Sequence, residues 1–173
     1  KSITGNFTIT FDVALNDYTP AADVTLFTKT SGNDGFIVKW LTTDKIRLVI
    51  GDGAALTNVD VVAASSFTDG TRHTATIVWQ DGVGATFSYD GVVSGAQVAA
   101  VKTLTTAAVV MTIGSTTSIG KVYDYTMTNS ASTTYYHLNP NASSETTANA
   151  ATWVSDNGET YTLNNSGNSP AQV

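Results

Sequence analysis

Cysteine is absent from the 173 residues, proline occurs three times, and the acidic side chains include only two glutamates, Glu145 and Glu159. Each shortage closes a route. Without cysteine there is no disulfide framework, no thiol nucleophile and no thiolate metal site. Two glutamates beside twelve aspartates leave few candidates for carboxylate catalysis. Six lysines and two arginines give a net charge of −6 and a pI near 4.5, the opposite of the basic footprint that nucleic-acid phosphates require. No apolar run reaches the roughly 18 residues expected of a membrane-spanning helix. Strong helix formers such as Glu and Gln are scarce, which argues against the alternating helix–strand pattern of most nucleotide-binding folds. The chain opens at Lys1 with neither an initiator Met nor a signal peptide, and is read as a fragment of something longer.

What is present points to sheets. There are 30 Thr, 18 Val and 8 Ile, side chains that lose rotamer freedom on a helix and pack well on a pleated surface. With 42% hydrophobic and 13% charged residues, the chain is folded rather than disordered. Its length suits one domain over 1–173 that buries about 70% of the unfolded surface. In Phe7-Thr-Ile-Thr-Phe-Asp-Val13 apolar and polar residues alternate, as a half-buried strand requires. Similar alternation covers Val24–Thr28, Phe36–Leu41, Lys45–Ile50, Val59–Ala63, Thr74–Trp79, Ala85–Tyr89, Val109–Ile113 and Lys121–Thr128, with weaker patterns at Thr134–Leu138 and Thr160–Asn164.

Five Asp-Gly pairs, at Asp34, Asp52, Asp69, Asp81 and Asp90, stand between these runs. Glycine adopts positive φ without strain and aspartate bonds its own turn backbone, so the pairs mark tight connections. The expected fold is all-β, two antiparallel sheets facing one another in a jelly roll. From Asn139 onward the composition turns to Asn, Ser, Thr and Ala around the anchors Trp153, Tyr161 and Leu163. Residues 139–173 are expected as loop plus one returning strand, packed on the sandwich.

The run Asp69-Gly-Thr-Arg-His73-Thr-Ala-Thr-Ile-Val-Trp-Gln-Asp81-Gly82, with Thr86-Phe-Ser-Tyr-Asp90-Gly91 after it, resembles the centre of the concanavalin A-like and laminin G-like jelly rolls. Gly35-Phe-Ile-Val-Lys-Trp40 and Lys45–Gly53 are similar to the family's preceding hairpin. Ile113-Gly114 and Ile119–Tyr125 are similar to its return strand. Arg72 stands where the family usually has Trp, so packing at that strand start is expected to differ. The ending, Tyr135-Tyr-His-Leu-Asn-Pro140 through Trp153 to Asn165, is more loosely similar to domains of bacteriophage tail fibres and other virion adhesins.

That resemblance implies an extracellular or virion-surface setting, or a bacterial cell surface, and a non-catalytic module that recognises a cell-surface glycan or receptor. It also implies a homotrimer within a fibre. A structural or oligomerisation module is the alternative, with a glycoside hydrolase behind both. Hydrolases of this fold use a Glu-x-Asp-x-x-Glu strand to set two carboxylates about 5 Å apart; that string is missing, and Asp124 has no second carboxylate at i±2. Gly-x-Ser-x-Gly and His-Glu-x-x-His are missing too, so no catalytic residue is assigned. His73 and His137 are read as structural.

No cofactor or metal ligand is assigned. Calcium is the alternative use of Asp34, Asp52, Asp60, Asp81 and Asp90, which lie near turns and offer the oxygens a hard cation takes. Sugars stack their C–H faces on exposed rings, so aromatic residues lead the candidate ligand-binding set: Trp153, Tyr136, Tyr135 and Trp40, with Arg47 and Asn157 as hydroxyl partners. Trp40 alternates with Phe36 and Val38 and has a core reading beside this one. Trp79 ends its strand beside a turn, which leaves its exposure open. Trp153 is either a plug for the C-terminal segment or a stacking platform.

Overall fold

A computed structural model describes residues 3–43, 45–62, 67–94, 96–107, 109–114, 120–131, 133–138, 152–154 and 160–163. At 61, 62 and 138, and throughout the last two segments, the backbone course alone is described. Fourteen strands carry the fold: β1 (Phe7–Leu15), β2 (Val24–Ser31), β3 (Asp34–Trp40), β4 (Lys45–Asp52), β5 (Leu56–Val62), β6 (His73–Gln80), β7 (Gly84–Tyr89), β8 (Val92–Val93), β9 (Val98–Ala99), β10 (Met111–Ile113), β11 (Gly120–Asn129), β12 (Thr134–Leu138), β13 (Thr152–Val154) and β14 (Thr160–Leu163). No helix occurs among the described residues.

Sheet 1 runs β12-β11-β1-β6-β7-β8, with β9 also pairing β7, and sheet 2 runs β13-β14-β10-β2-β3-β4-β5. Among the described residues all pairings are antiparallel except β10 with β14, which is parallel. The expected two-sheet sandwich is therefore present, with one exception to the antiparallel rule. The C-terminal segment contributes two strands to sheet 2 where one was expected. Two-residue strands such as β8 and β9 are too short to leave a periodic signature, and the sequence reading did not contain them.

Alternation explains which side chains meet. Phe7, Ile9 and Phe11 of β1 point inward with Ile77 and Trp79 of β6, and face Phe27, Phe36, Val38, Ile46, Leu48 and Ile50 of sheet 2. Aromatic rings interlock across the gap, Phe7 with Phe36 at 5.9 Å, Phe11 with Phe27 at 5.1 Å and Phe27 with Tyr125 at 4.4 Å between centroids. Trp79, whose exposure the sequence left open, is fully buried.

The two ends of the sandwich are closed differently. At one end a strap over residues 100–107 ties three of the Asp-Gly turns together. Lys102 O accepts Gly82 N–H (2.8 Å), Asp81 Oδ1 accepts Leu104 N–H (2.8 Å), and Thr105 bonds Gly35 N–H, Gly51 O and Asp34 Oδ1. Leu104 is buried there as the plug. Gly35 is irreplaceable in this arrangement: at φ 93° a Cβ would lie 1.9 Å from Lys29 O. At the other end Tyr18 donates to Thr71 O (2.9 Å), while its own backbone N–H reaches Asp69 Oδ1 (2.8 Å) and its carbonyl accepts Trp40 Nε1–H (2.7 Å).

Candidate functional site

On the β3–β4–β5 ladder, alternation sends Ile46, Leu48 and Ile50 into the core and leaves Lys45, Arg47 and Val49 on the outer face of sheet 2. Register then sets Thr25, Lys39, Arg47 and Asp60 side by side in one row across four strands. The row beside it is Thr28, Ile37, Val49 and Asn58. Neighbouring strands lie about 4.8 Å apart and successive outward residues about 6.6 Å apart along a strand, so the two rows make a compact polar and apolar patch.

Arg47 grips Asp60 with two bonds, Nε to Oδ1 at 2.6 Å and Nη2 to Oδ2 at 2.7 Å. Asp23 Oδ2 stands 4.0 Å from Nη1. The bond from Arg47 is the main reason the Asp60 carboxyl is held below its usual value; burial works against it, and the charges of Arg47 and Lys45 assist. The same bond pushes Arg47 up. The pair is pre-set in a fork geometry, with the third guanidinium nitrogen turned toward Asp23. Lys39, next in the row, makes no hydrogen bond or ion pair among the described residues. Val49 is 4% exposed although it lies outside the core cluster, so the patch has a shielded apolar floor.

The outer face of sheet 1 carries a second charged group. Asp12 and Asp124 face one another across β1 and β11. Asp12 accepts bonds from Arg72 and the Thr74 hydroxyl. Asp124 accepts from Thr126 (3.1 Å) and has His137 Nε2 3.5 Å away. A bulge skips Tyr123 in the β1–β11 register, and the Arg72 guanidinium lies 4.4 Å from its ring centroid. Arg72 over Tyr123 is thus the packing at the strand start where a difference was expected. The carboxylate pair that strand spacing denied to Asp124 is thus supplied across the ladder. Both oxygens of Asp12 are already bonded within the protein, which suits an ion-pair network better than an acid and a nucleophile.

His73 sits in a third cluster. Its Nδ1 is 2.8 Å from Asp90 Oδ2 and its Nε2 2.8 Å from Thr71 Oγ1. The order hydroxyl, imidazole, carboxylate is that of an acyl-transfer triad. Here the Thr71 hydroxyl also donates to Thr68 O, and Asp90 Oδ1 accepts Thr74 N–H. The ring is wedged between Tyr18 and Phe67, 5.5 and 4.2 Å away. Burial works to raise the Asp90 carboxyl, but the bonds from His73 and Thr74 outweigh it and hold it low. The cluster ties the start of β6 to the β7–β8 turn, in line with the structural reading of His73.

Of the six candidate binding residues, two are corrected. Trp40 is 2% exposed, donates to Tyr18 O and meets Tyr18 and Phe67 edge-on or tilted. Tyr136 is 2% exposed on the inward side of β12, opposite Met127. Neither ring has a free face for a sugar. Tyr135 is half-buried and packs against the core rim. Arg47 is on the outer face, in the row described above. Trp153 lies opposite Tyr161 on β13, its side chain outside the described residues, as is Asn157 altogether.

The five turn and strand aspartates bond within the protein: Asp34 to Thr105, Asp52 to Lys102, Asp60 to Arg47, Asp81 to Leu104 and Trp79, Asp90 to His73. Asp34, Asp52 and Asp81 hold the strap, a role their Asp-Gly context conceals because the partner lies far along the chain. Lys39 was missed as well; it is one polar residue in an alternating strand, and only the register reveals its neighbours.

No protein-family description and no curated protein matches the chain. Among solved structures, domains LG4-5 of the mouse laminin alpha1 chain are 13% identical, with 79% of this chain and 38% of that one covered and a TM-score of 0.53. The binding domain of botulinum neurotoxin serotype G is 14% identical, covering 61% of this chain and 28% of that one, with a TM-score of 0.49. The chain therefore spans well under half the length of either structure. The laminin likeness establishes the fold as a laminin G-like jelly roll of the concanavalin A-like group.

Proposed function

We propose that this laminin G-like sandwich is a non-catalytic recognition module that binds a cell-surface glycan or receptor through the outer face of sheet 2. The observation that carries this reading is the Arg47–Asp60 fork (2.6 and 2.7 Å) set beside Lys39, whose side chain has no ion pair among the described residues. Such a row offers fixed donors and acceptors to sugar hydroxyls, while the half-buried Ile37 beside it gives ground for a C–H face. The other constellations favour the same reading, since the Asp12 and His73 groups are satisfied by their own neighbours. Trp153 and Asn157 belong to the proposal as a stacking ring and a hydroxyl partner, on β13 and beyond it.

The finer setting is host recognition, by a phage tail fibre or a bacterial surface adhesin, where weak single sites gain from repetition in a homotrimer. A glycan array and whole-cell binding, run with wild type and Arg47→Ala, test the proposal. Saturable binding to a surface glycan that Arg47→Ala weakens by about tenfold or more is expected for loss of a pre-set charged hydrogen-bonding pair. Absence of any binding, or equal binding by the variant, contradicts it.

A structural or oligomerisation module is the second reading, and one observation favours it. Val83, Val92, Val93 and Val101 are exposed, at 48, 62, 64 and 83%, around the β7–β9 edge of sheet 1. Light scattering decides: a stable oligomer dissolved by Val92→Glu with Val93→Glu, in a protein that binds no glycan, would establish it.

A further inference from the structure

The outer face of sheet 1 has a second feature, apart from its charged end. Following the register from β11 to β7, one row reads Thr126, Thr10, Thr76 and Ser88, and the next Thr128, Thr8, Val78 and Thr86. Seven of these eight positions carry a hydroxyl and none carries a charge. All eight are half-buried, while the residues between them along each strand, such as Ile9, Ile77, Phe87 and Met127, are buried in the core. The hydroxyls are close enough to bond one another: Thr10 Oγ1 and Thr76 Oγ1 are 3.2 Å apart.

We propose that this face binds an extended, uncharged polysaccharide lying across the strands, with one pyranose unit per strand. Strands about 4.8 Å apart match the rise of one unit in an extended β-linked chain. Every Thr or Ser hydroxyl both donates and accepts, as sugar hydroxyls do, and the threonine methyls between them provide apolar contact. Neither row carries a charge from β11 to β7; the nearest ionisable groups, Asp124 bonded to Thr126 and His137 opposite it on β12, stand at one end. The right-handed twist of the sheet suits a single chain, which can coil with it, better than a flat crystal face. Each hydroxyl contact replaces one to water and nets little, so affinity has to accumulate along the row. This goes beyond the Arg47 reading, because it concerns the opposite sheet and a different chemistry.

The test is an NMR titration of the whole chain with cellobiose and with cellohexaose. Cellohexaose is expected to move the signals of Thr10, Thr76 and Thr126 and to bind about tenfold or more tightly than cellobiose, as contacts repeat along the row. Changing salt from low to high ionic strength should leave the affinity within about twofold, since no charge is screened. Thr10→Val with Thr76→Val removes two hydroxyls while keeping β-branched shape, and should weaken cellohexaose by about tenfold with the circular dichroism spectrum retained. Equal affinity for the two sugars, no binding, or shifts confined to Ile37, Asn58 and their neighbours would overturn the proposal. The last result would leave the Arg47 reading standing, whereas shifts on sheet 1 in a protein whose array binding ignores Arg47→Ala would leave this one standing instead.

Discussion

Trp40 and Arg47 stand on the two arms of one hairpin and face opposite sides of the same sheet. Their exposure decides their roles: a ring 2% exposed holds the core, and a guanidinium in the outer row can meet a ligand. Trp40→Ala should destabilise the protein by about 3–5 kcal/mol, the usual cost of emptying a buried aromatic site, as read from urea unfolding. Asp52 supports a second prediction. Bonds from Lys102 and from the N–H groups of Ala55 and Ala54 lower its carboxyl to about 2. A depressed folded-state value means the contribution is present above the ordinary carboxylate range and is lost as pH falls toward 2. An NMR titration of Asp52 should therefore show a midpoint near 2, and Lys102→Met should move that midpoint upward. A midpoint unchanged by Lys102→Met would remove the strap ion pair from the account.

At the scale of elements, the Asp-Gly turns do more than reverse the chain. All five glycines have positive φ, as the dipeptides led one to expect. Three of the aspartates also secure the 100–107 strap, which no local pattern announces. Gly35→Ala should cost more than the about 1–3 kcal/mol of strain at a positive φ, because its Cβ would also collide with Lys29 O, seen as a lowered midpoint of thermal unfolding. Gly32→Ala, where a Cβ meets nothing within 4 Å, should cost less. Long alternating strands such as β1 and β6 were legible because period two repeats over many residues. The strands β8, β9 and β13 were not, being only two or three residues long. The same limit governs the sites. Alternation assigns a side to Arg47 or Asp12, but the partner across the ladder depends on register, and Asp12 beside Asp124 or Lys39 beside Arg47 emerges only once strands are paired. Aromatic content misled for Trp40 and Tyr136, because a ring that suits a sugar suits a sandwich core equally well.

Considered as a whole, the molecule presents two unlike faces. Sheet 2 offers a row of fixed charges around Arg47, while sheet 1 offers neutral hydroxyls that end at the Asp12–Arg72–Asp124 network. Such a body suits recognition whose strength grows with repeated contacts. Recognition through the Arg47 row is what the proposed function stands on. Its most direct test is to titrate the isotopically labelled chain with the glycan that gives the strongest array signal and follow the amide and side-chain resonances. Saturable shifts gathered on Lys39, Arg47, Asn58 and Asp60 are expected. Saturable binding that leaves those four signals in place would contradict recognition through that row.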